Sequence, residues 1–241
     1  MKVALIAATQ IDVGALKGIG YRPADFHDDG DDVFGDYDAD ELSEFAGRNC
    51  YRSFDRPNPA TRENADYLKH ILDVSHESVL EHASATFYIE ASRSVLTELE
   101  RHRHLSFSVV SQRYVDANSL LCNIPPGINN DEVDPDFDLS DRMCDYYQDA
   151  LRFYNEIVEY LTRQGKSRKQ AREAARSVLP NMTDSPMVVT GNHRAWRYVI
   201  KARWHEAADA EIRGLAGELL KRLREIAPNC YQDIPDKPYS Y

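Results

Sequence analysis

Seven residues, Met143, Tyr147, Ala150, Leu151, Tyr154, Val158 and Leu161, recur at the three-and-four spacing of a single helical face. A face that long and that apolar must be buried against a second element, so the chain has to supply a layer for it. A second pattern of different period supplies one. In Ser84–Ile89, Ala85, Phe87 and Ile89 alternate with Ser84, Thr86 and Tyr88, the two-residue period of a half-buried strand. Long helix and alternating strand in one chain, without regular βαβ alternation, predict an α+β fold.

The remaining elements follow from local signals. Lys2–Gln10 reads as a first strand, and Asp12–Asp38, rich in Gly, Pro and Asp, as a mobile loop. Asp38 is expected to cap a helix carrying Leu42, Phe45 and Ala46, and Thr61 a second with Tyr67, Leu68, Ile71 and Leu72 inward. Ser92 caps a helix to about His102, and Val109–Val115 reads as a strand. After Pro125-Pro126-Gly127 comes an acidic excursion, then the long helix. Ser167 starts a basic helix that must end near Pro180. Pro186–Thr190 is a short β-rich run ending at Gly191, followed by a helix through Trp196 and Val199 and a last one through Ile212, Leu215, Leu219 and Leu223. No repeat or linker divides the chain, so 1–241 is expected to form a single domain.

Composition narrows the function classes. Fourteen Tyr, eight Phe and two Trp supply too much aromatic surface for a disordered chain. No apolar run approaches the roughly 20 residues that span a bilayer, and the Val3–Ala8 run is too short for a signal peptide. The four cysteines, Cys50, Cys122, Cys144 and Cys230, are far apart in sequence and form no CxxC. The expectation is a soluble, cytoplasmic protein with reduced thiols.

A net charge of −11 counts against a general nucleic-acid binder. Its distribution is uneven. Ten acids face one base between Gly20 and Phe45, eight face one between Asp131 and Asp149, and ten Lys/Arg face two acids between Arg163 and Arg203. Concentrated cations in an acidic protein suit a small anionic ligand such as a nucleotide, or else form a solvated helix face.

Three clusters carry the chemistry. In Arg101-His102-Arg103-His104-Leu105-Ser106-Phe107-Ser108-Val109-Val110-Ser111-Gln112-Arg113-Tyr114, arginines and hydroxyls gather where a helix gives way to a strand. Arginine offers a planar fork matched to phosphate or carboxylate oxygens, and on a strand Ser111 and Arg113 share a face. A basic helix end is the plainer alternative. His76-Glu77-Ser78-Val79-Leu80-Glu81-His82 fits neither HExxH nor HxxEH, and His205-Glu206-Ala207-Ala208-Asp209, read as helical, is a near miss, so no metal is expected. In Gly191-Asn192-His193-Arg194-Ala195-Trp196-Arg197, a glycine before a helix start exposes backbone amides to an anion. Arg172 and Arg176 lie four apart on one helical face and need an anion or an acid. No GxSxG elbow is present, and no cysteine has a histidine near it in sequence.

Together these residues resemble the flavin-dependent thymidylate synthases. Arg101-His102-Arg103, seven residues, then Ser111 reproduces that family's signature, and the likeness continues through Gln112-Arg113-Tyr114, His76–His82, Arg168–Pro180 and Thr190–Arg197. The resemblance implies a compact α+β subunit, an antiparallel-rich sheet flanked by helices, in a homotetramer whose active sites are shared between subunits. It implies reductive methylation of deoxyuridine monophosphate to thymidine monophosphate, with methylene-tetrahydrofolate giving the carbon, NADPH the electrons and FAD relaying the hydride, and with no covalent enzyme nucleophile. By the same resemblance Ser78, Arg101, His102, Arg103, Asn192, His193 and Arg194 match flavin-contacting positions, and His76 a histidine near the flavin ring that helps admit folate. Glu98, Arg101, Ser111, Gln112, Arg113 and Arg176 match positions that hold the nucleotide, and Arg203 the arginine that polarises the pyrimidine. No nucleic acid or membrane partner is implied.

Two positions depart from the family pattern. Val109 stands where Glu or Gln is common, and Tyr198 where His or Asn is frequent; both lie among the flavin-contacting positions. The departures leave a second reading, a flavin- or nucleotide-binding relative with weakened or lost turnover. A nucleic-acid module using the basic 163–203 stretch is a third, opposed by the overall charge.

Overall fold

The computed structural model describes residues 1–21, 37–54, 58–128 and 138–240. Four strands, β1 (Lys2–Ala8), β2 (Ser84–Glu90), β3 (Ser106–Val109) and β4 (Met187–Asn192), form one antiparallel sheet in the order β1-β2-β4-β3. The central pair aligns Phe87 with Val189, and β3 aligns Ser106 with Thr190 and Val109 with Met187. The predicted alternation holds: Ala85, Phe87 and Ile89 of β2, with Met187 and Val189 of β4, are buried on one face, and Thr86, Tyr88 and Thr190 are half-buried on the other. The hydroxyls of Thr86 and Thr190 meet across the strands at 2.9 Å.

Helices α3 (Asn64–Asp73), α4 (Arg93–Leu99), α7 (His193–Arg203) and α8 (Ala210–Ile226) cover the buried face. Their inward residues, Leu68, Leu96, Leu99, Val199, Ile200, Leu215, Leu219 and Leu223, join the strand residues in the main core. Trp196 is fully buried, edge-on to Phe87 at 5.1 Å, and donates its indole N–H to the Ala85 carbonyl at 3.1 Å. The long helix is α5 (Leu139–Arg163). Its Tyr147, Leu151 and Tyr154 form a second core with Ala175 of α6 (Arg168–Ala175).

Several boundaries differ from the expectation. Asp12 accepts from the Ala15 amide at 2.9 Å and caps a short helix, α1 (Val13–Ile19), where a loop was expected; residues 22–36 of that loop lie outside the described residues, as do 129–137 of the acidic excursion. Asp38 is the first residue of α2 (Asp38–Tyr51), not its cap. Thr61 closes a 3-10 turn, and α3 begins three residues later. Ser92 caps α4 as expected, but the helix stops at Leu99. Ser167 caps α6 through a reciprocal pair with Gln170. The strand expected over Val109–Val115 is instead Ser106–Val109; after it the amides of Tyr114 and Val115 both bond the Ser111 carbonyl, closing a turn. The shared strand face of Ser111 and Arg113 is lost with it. Cys122 and Cys144, 22 residues apart, bring their sulfurs to 3.9 Å while remaining thiols.

One connection positions the site. β4 runs directly into α7 at Asn192, and Ser106 at the start of β3 lies opposite Thr190 near that end. Residues 101–105, between α4 and β3, thereby lie along α7, with Leu105 close to Gly191 at its start and His102 bonded to Arg203 at its end.

Candidate functional site

At that end of the sheet lies a cleft of about 1040 Å³. Its floor is one face of α7, where Arg194, Tyr198 and Ala202 follow at four-residue intervals between Asn192 and Arg203. At 1.5 Å per residue that face is about 16 Å long. One wall is Arg101, His102, Arg103 and His104; Glu77 and Glu81 of a 3-10 turn, Glu77–Glu81, line it as well. Four arginines thus meet two glutamates. The guanidinium groups of Arg101 and Arg103 have no partner among the described residues, and both side chains are exposed. Arg194 is paired with Glu81. Asn192 caps α7, its Oδ1 accepting from the Ala195 amide at 2.8 Å, so its amide nitrogen stays available at the rim.

Arg203 closes the far end. It donates from Nη1 to Glu98 Oε2 at 2.6 Å, from Nη2 to the Glu98 carbonyl at 3.2 Å, and from Nε to His102 Nε2 at 3.1 Å. His102 is buried, with Tyr198 edge-on to its ring at 5.5 Å. Burial first, and the neighbouring Arg203 charge second, lower its pKa to about 4. A guanidinium has no lone pair to offer, so the imidazole nitrogen facing it is unprotonated and Nδ1 carries the proton. That Nδ1 is buried and finds no partner.

Beneath the floor, Arg197 is fully buried and grips Asp233 with both Nη atoms at 2.7 Å, with Glu77 at 3.4 Å and the Cys230 carbonyl as further acceptors. Burial opposes ionisation of Asp233, but the bonds and charge of Arg197 outweigh it and hold the carboxyl below its usual range.

Of the residues singled out from the sequence, Arg101, His102, Arg103, Asn192, Arg194, Tyr198 and Arg203 come together in the cleft, and Glu98 joins through Arg203. His76 and Ser78 are exposed beside and within the turn that carries Glu77 and Glu81. His193 is not at the cleft surface: its ring is fully buried, with Nδ1 2.9 Å from the Tyr231 hydroxyl. Val109 is half-buried at the end of β3. Ser111, Gln112, Arg113 and Arg176 do not line the cleft. Three strand steps of β3, about 10 Å, separate their end of the strand from Ser106. There Arg113 meets Glu173 at 3.7 Å, Gln112 is buried with its amide nitrogen unpartnered, and Arg176 is exposed without a partner among the described residues.

The basic 163–203 stretch divides its charge among scattered acids. Arg172 pairs with Asp116, Lys201 with Glu77, and Arg203 with Glu98. Gly191, expected to free amides for an anion, is instead a strand residue paired with Ala85, and its missing side chain makes room for Leu105. The HExxD segment is not helical, since Asp209 caps α8 and His205 Nδ1 accepts from the Ala207 amide. Among the described residues no group of three or more His, Cys, Asp or Glu is placed to hold a metal. The sequence reading missed Glu77, Glu81 and His104 as cleft residues; the i, i+4, i+8 spacing of Arg194, Tyr198 and Ala202 was the available signal for the floor.

Fold and site together define a class: an α+β protein with an antiparallel sheet and a cationic cleft laid along one helix. The profile of the thymidylate synthase complementing protein family matches residues 33–229. The chain is 70% identical over its whole length, and that of the relative, to a probable flavin-dependent thymidylate synthase of Mycobacterium phage L5. It is 64% identical to the probable flavin-dependent thymidylate synthase of Mycobacterium phage D29, over all of this chain and 99% of that one. Against the flavin-dependent thymidylate synthase of Mycobacterium avium identity is 48%, over 80% of this chain and 78% of the relative. The chain belongs to the flavin-dependent thymidylate synthase family of enzymes.

Proposed function

We propose that the cleft binds FAD together with deoxyuridine monophosphate, and that the protein catalyses reductive methylation of the nucleotide to thymidine monophosphate. The observation that carries this reading is the Arg203 guanidinium, fixed by Glu98 and His102 at one end of a groove lined by Arg101, Arg103, Asn192 and Arg194. The names of the relatives supply the flavin and the product.

The residues fit the cofactor. A dinucleotide is long and carries a pyrophosphate; the groove is long, and the free guanidinium groups of Arg101 and Arg103 present forks matched to phosphate oxygens. The unpartnered His102 Nδ1 and the Asn192 amide add neutral donors. Ser78, Arg101, His102, Arg103, Asn192, Arg194 and Tyr198 would hold FAD, with His193 acting through the backbone it shares with Asn192. His76, exposed nearby, would help admit the folate. When bound, FAD supplies the hydride relay between NADPH and the one-carbon unit that methylene-tetrahydrofolate donates.

Arg203 does the protein's own electrostatic work. For its ring carbon to attack the one-carbon unit, the pyrimidine must first be polarised so that enolate-like negative charge builds up on the ring, and a guanidinium that stays charged stabilises that charge in place. Glu98 keeps that guanidinium from turning to solvent. Neither Cys nor Ser is among the residues lining the cleft, and the reading gives activation of the ring to Arg203.

Glu98, Arg101, Ser111, Gln112, Arg113 and Arg176 are proposed to bind the nucleotide. They lie toward opposite ends of β3, which favours a homotetramer in which one subunit's Ser111–Arg113 turn completes another's cleft. No helix among the described residues is long and apolar enough to cross a membrane, and five of the ten cations of the 163–203 stretch are paired with acids. The reading therefore takes the cytoplasm as the setting, with neither membrane nor nucleic acid as partner. The test is an FAD titration into flavin-stripped protein, with and without deoxyuridine monophosphate, followed by a product assay on wild type and Arg203→Ala. Flavin binding by both proteins with thymidylate formed only by wild type is expected. Flavin binding without product from wild type would favour the relative that has lost turnover.

A further inference from the structure

The acceptor that Arg203 uses at Nε is unusual for an arginine in a cationic cleft. A carboxylate would be the common choice, yet here a buried neutral imidazole takes the bond at 3.1 Å. Three of the five N–H groups of Arg203 are engaged, one by His102 and two by Glu98, which leaves two for a ligand. We propose that His102 is a positioning residue for Arg203: as a neutral acceptor it completes, with Glu98, a two-sided clamp that fixes the guanidinium plane while adding no negative charge. The inference rests on the proposed role of Arg203 toward the pyrimidine.

The chemistry explains why an imidazole suits this place. A second carboxylate would neutralise Arg203 and weaken its hold on negative charge developing in the ring. A protonated imidazole would set N–H against N–H. The groups facing His102 are the Arg203 guanidinium and the Tyr198 ring from α7, and beyond the guanidinium the Glu98 carboxylate from α4. Its chain neighbours Arg101, Arg103 and His104 line the same cleft. Burial first, and the Arg203 charge second, keep the ring uncharged.

Two readouts test this on the full chain. In protein labelled at histidine nitrogen, the NMR spectrum of His102 should show the proton on Nδ1, and Arg203→Ala should raise the pH at which His102 titrates. A proton on Nε2, or a titration unmoved by Arg203→Ala, overturns the proposal. With FAD-saturated protein, deoxyuridine monophosphate affinity is compared among wild type, His102→Leu, His102→Gln, Arg203→Ala and His102→Leu/Arg203→Ala. The lost bond to a charged group should weaken binding about tenfold in His102→Leu. His102→Gln, whose amide oxygen can replace Nε2, should stay near wild type. The double variant should bind no more weakly than Arg203→Ala alone. Equal loss from His102→Leu in both backgrounds would mean that His102 acts independently of Arg203. If wild type itself binds no deoxyuridine monophosphate, the functional reading fails, and the NMR result still decides the clamp.

Discussion

The Nδ1 of His193, the first residue of α7, lies 2.9 Å from the hydroxyl of Tyr231 inside the protein, and neither side chain touches water. Burial alone lowers the pKa of His193 to about 4. In the unfolded chain the same ring titrates near 6.5, so between those values the unfolded state binds a proton that the native state does not. The contribution to stability is complete above about pH 6.5 and is lost as pH falls toward 4, by about 3 kcal/mol at most. Urea midpoints measured at pH 7.5 and 4.5 should differ less in His193→Phe than in wild type. An unchanged difference would show that the ring is protonated in the native protein.

Gly191 is where the sheet, the cleft wall and α7 come closest. A Cβ built there would lie 2.4 Å from Leu105 Cδ2 and 3.2 Å from the Trp196 indole nitrogen. Leu105 is buried and the indole is tied to Ala85, so neither yields freely. Gly191→Ala is expected to cost about 1–3 kcal/mol by overpacking, and because Leu105 follows His104, to weaken flavin binding as well. Thermal melts check the first effect. In a Leu105→Ala background the added methyl should cost less; an equal cost there would place the strain elsewhere.

Removing Asp233 should be more severe than its half-exposed position suggests. It leaves the buried Arg197 guanidinium with Glu77 and a backbone carbonyl, and breaking such a pair from one side typically costs about 3–5 kcal/mol. Replacing both partners by apolar residues, Arg197→Met with Asp233→Leu, should recover much of the loss. Denaturant unfolding of Asp233→Ala and of the double variant decides it. A double variant less stable than Asp233→Ala would mean that the pair supports the fold beyond its own charges.

How much of this was legible in the sequence depended on whether the signal was periodic or spatial. The α5 repeat and the alternation of β2 gave both elements, because each period reflects one buried face. Ser92 and Ser167 were readable as caps, since a serine hydroxyl beside a free amide is a local event. Val109–Val115 was misread because valines at both ends of a segment cannot reveal that the Ser111 carbonyl between them will collect two amides and close a turn. The seven residues that meet in the cleft were named through the family resemblance, yet nothing local said that Glu98 and His102 would converge on Arg203 across about a hundred residues. Likewise the acids that engage the basic stretch, such as Glu77, Asp116 and Asp233, sit outside the conspicuous acidic runs.

Tyr198, expected from the family resemblance to be a departure, lies among the residues that line the cleft. It is 61% exposed, lies on the floor between Arg194 and Ala202, and sets its ring edge-on to His102. So exposed a side chain contributes little to folding, and Tyr198→Ala should change stability by less than about 0.5 kcal/mol. A flat aromatic facing the groove is instead suited to stack on a planar ring, an interaction typically worth about 1–3 kcal/mol. Flavin affinity, read by fluorescence titration, should therefore fall at least about fivefold in Tyr198→Ala and stay near wild type in Tyr198→Phe, which keeps the ring and loses only the hydroxyl. A matching loss in Tyr198→Phe would assign the contact to the hydroxyl. No loss in either variant would mean that the flavin does not lie along this face of α7, and the assignment of Arg194 and Asn192 to the cofactor would fall with it.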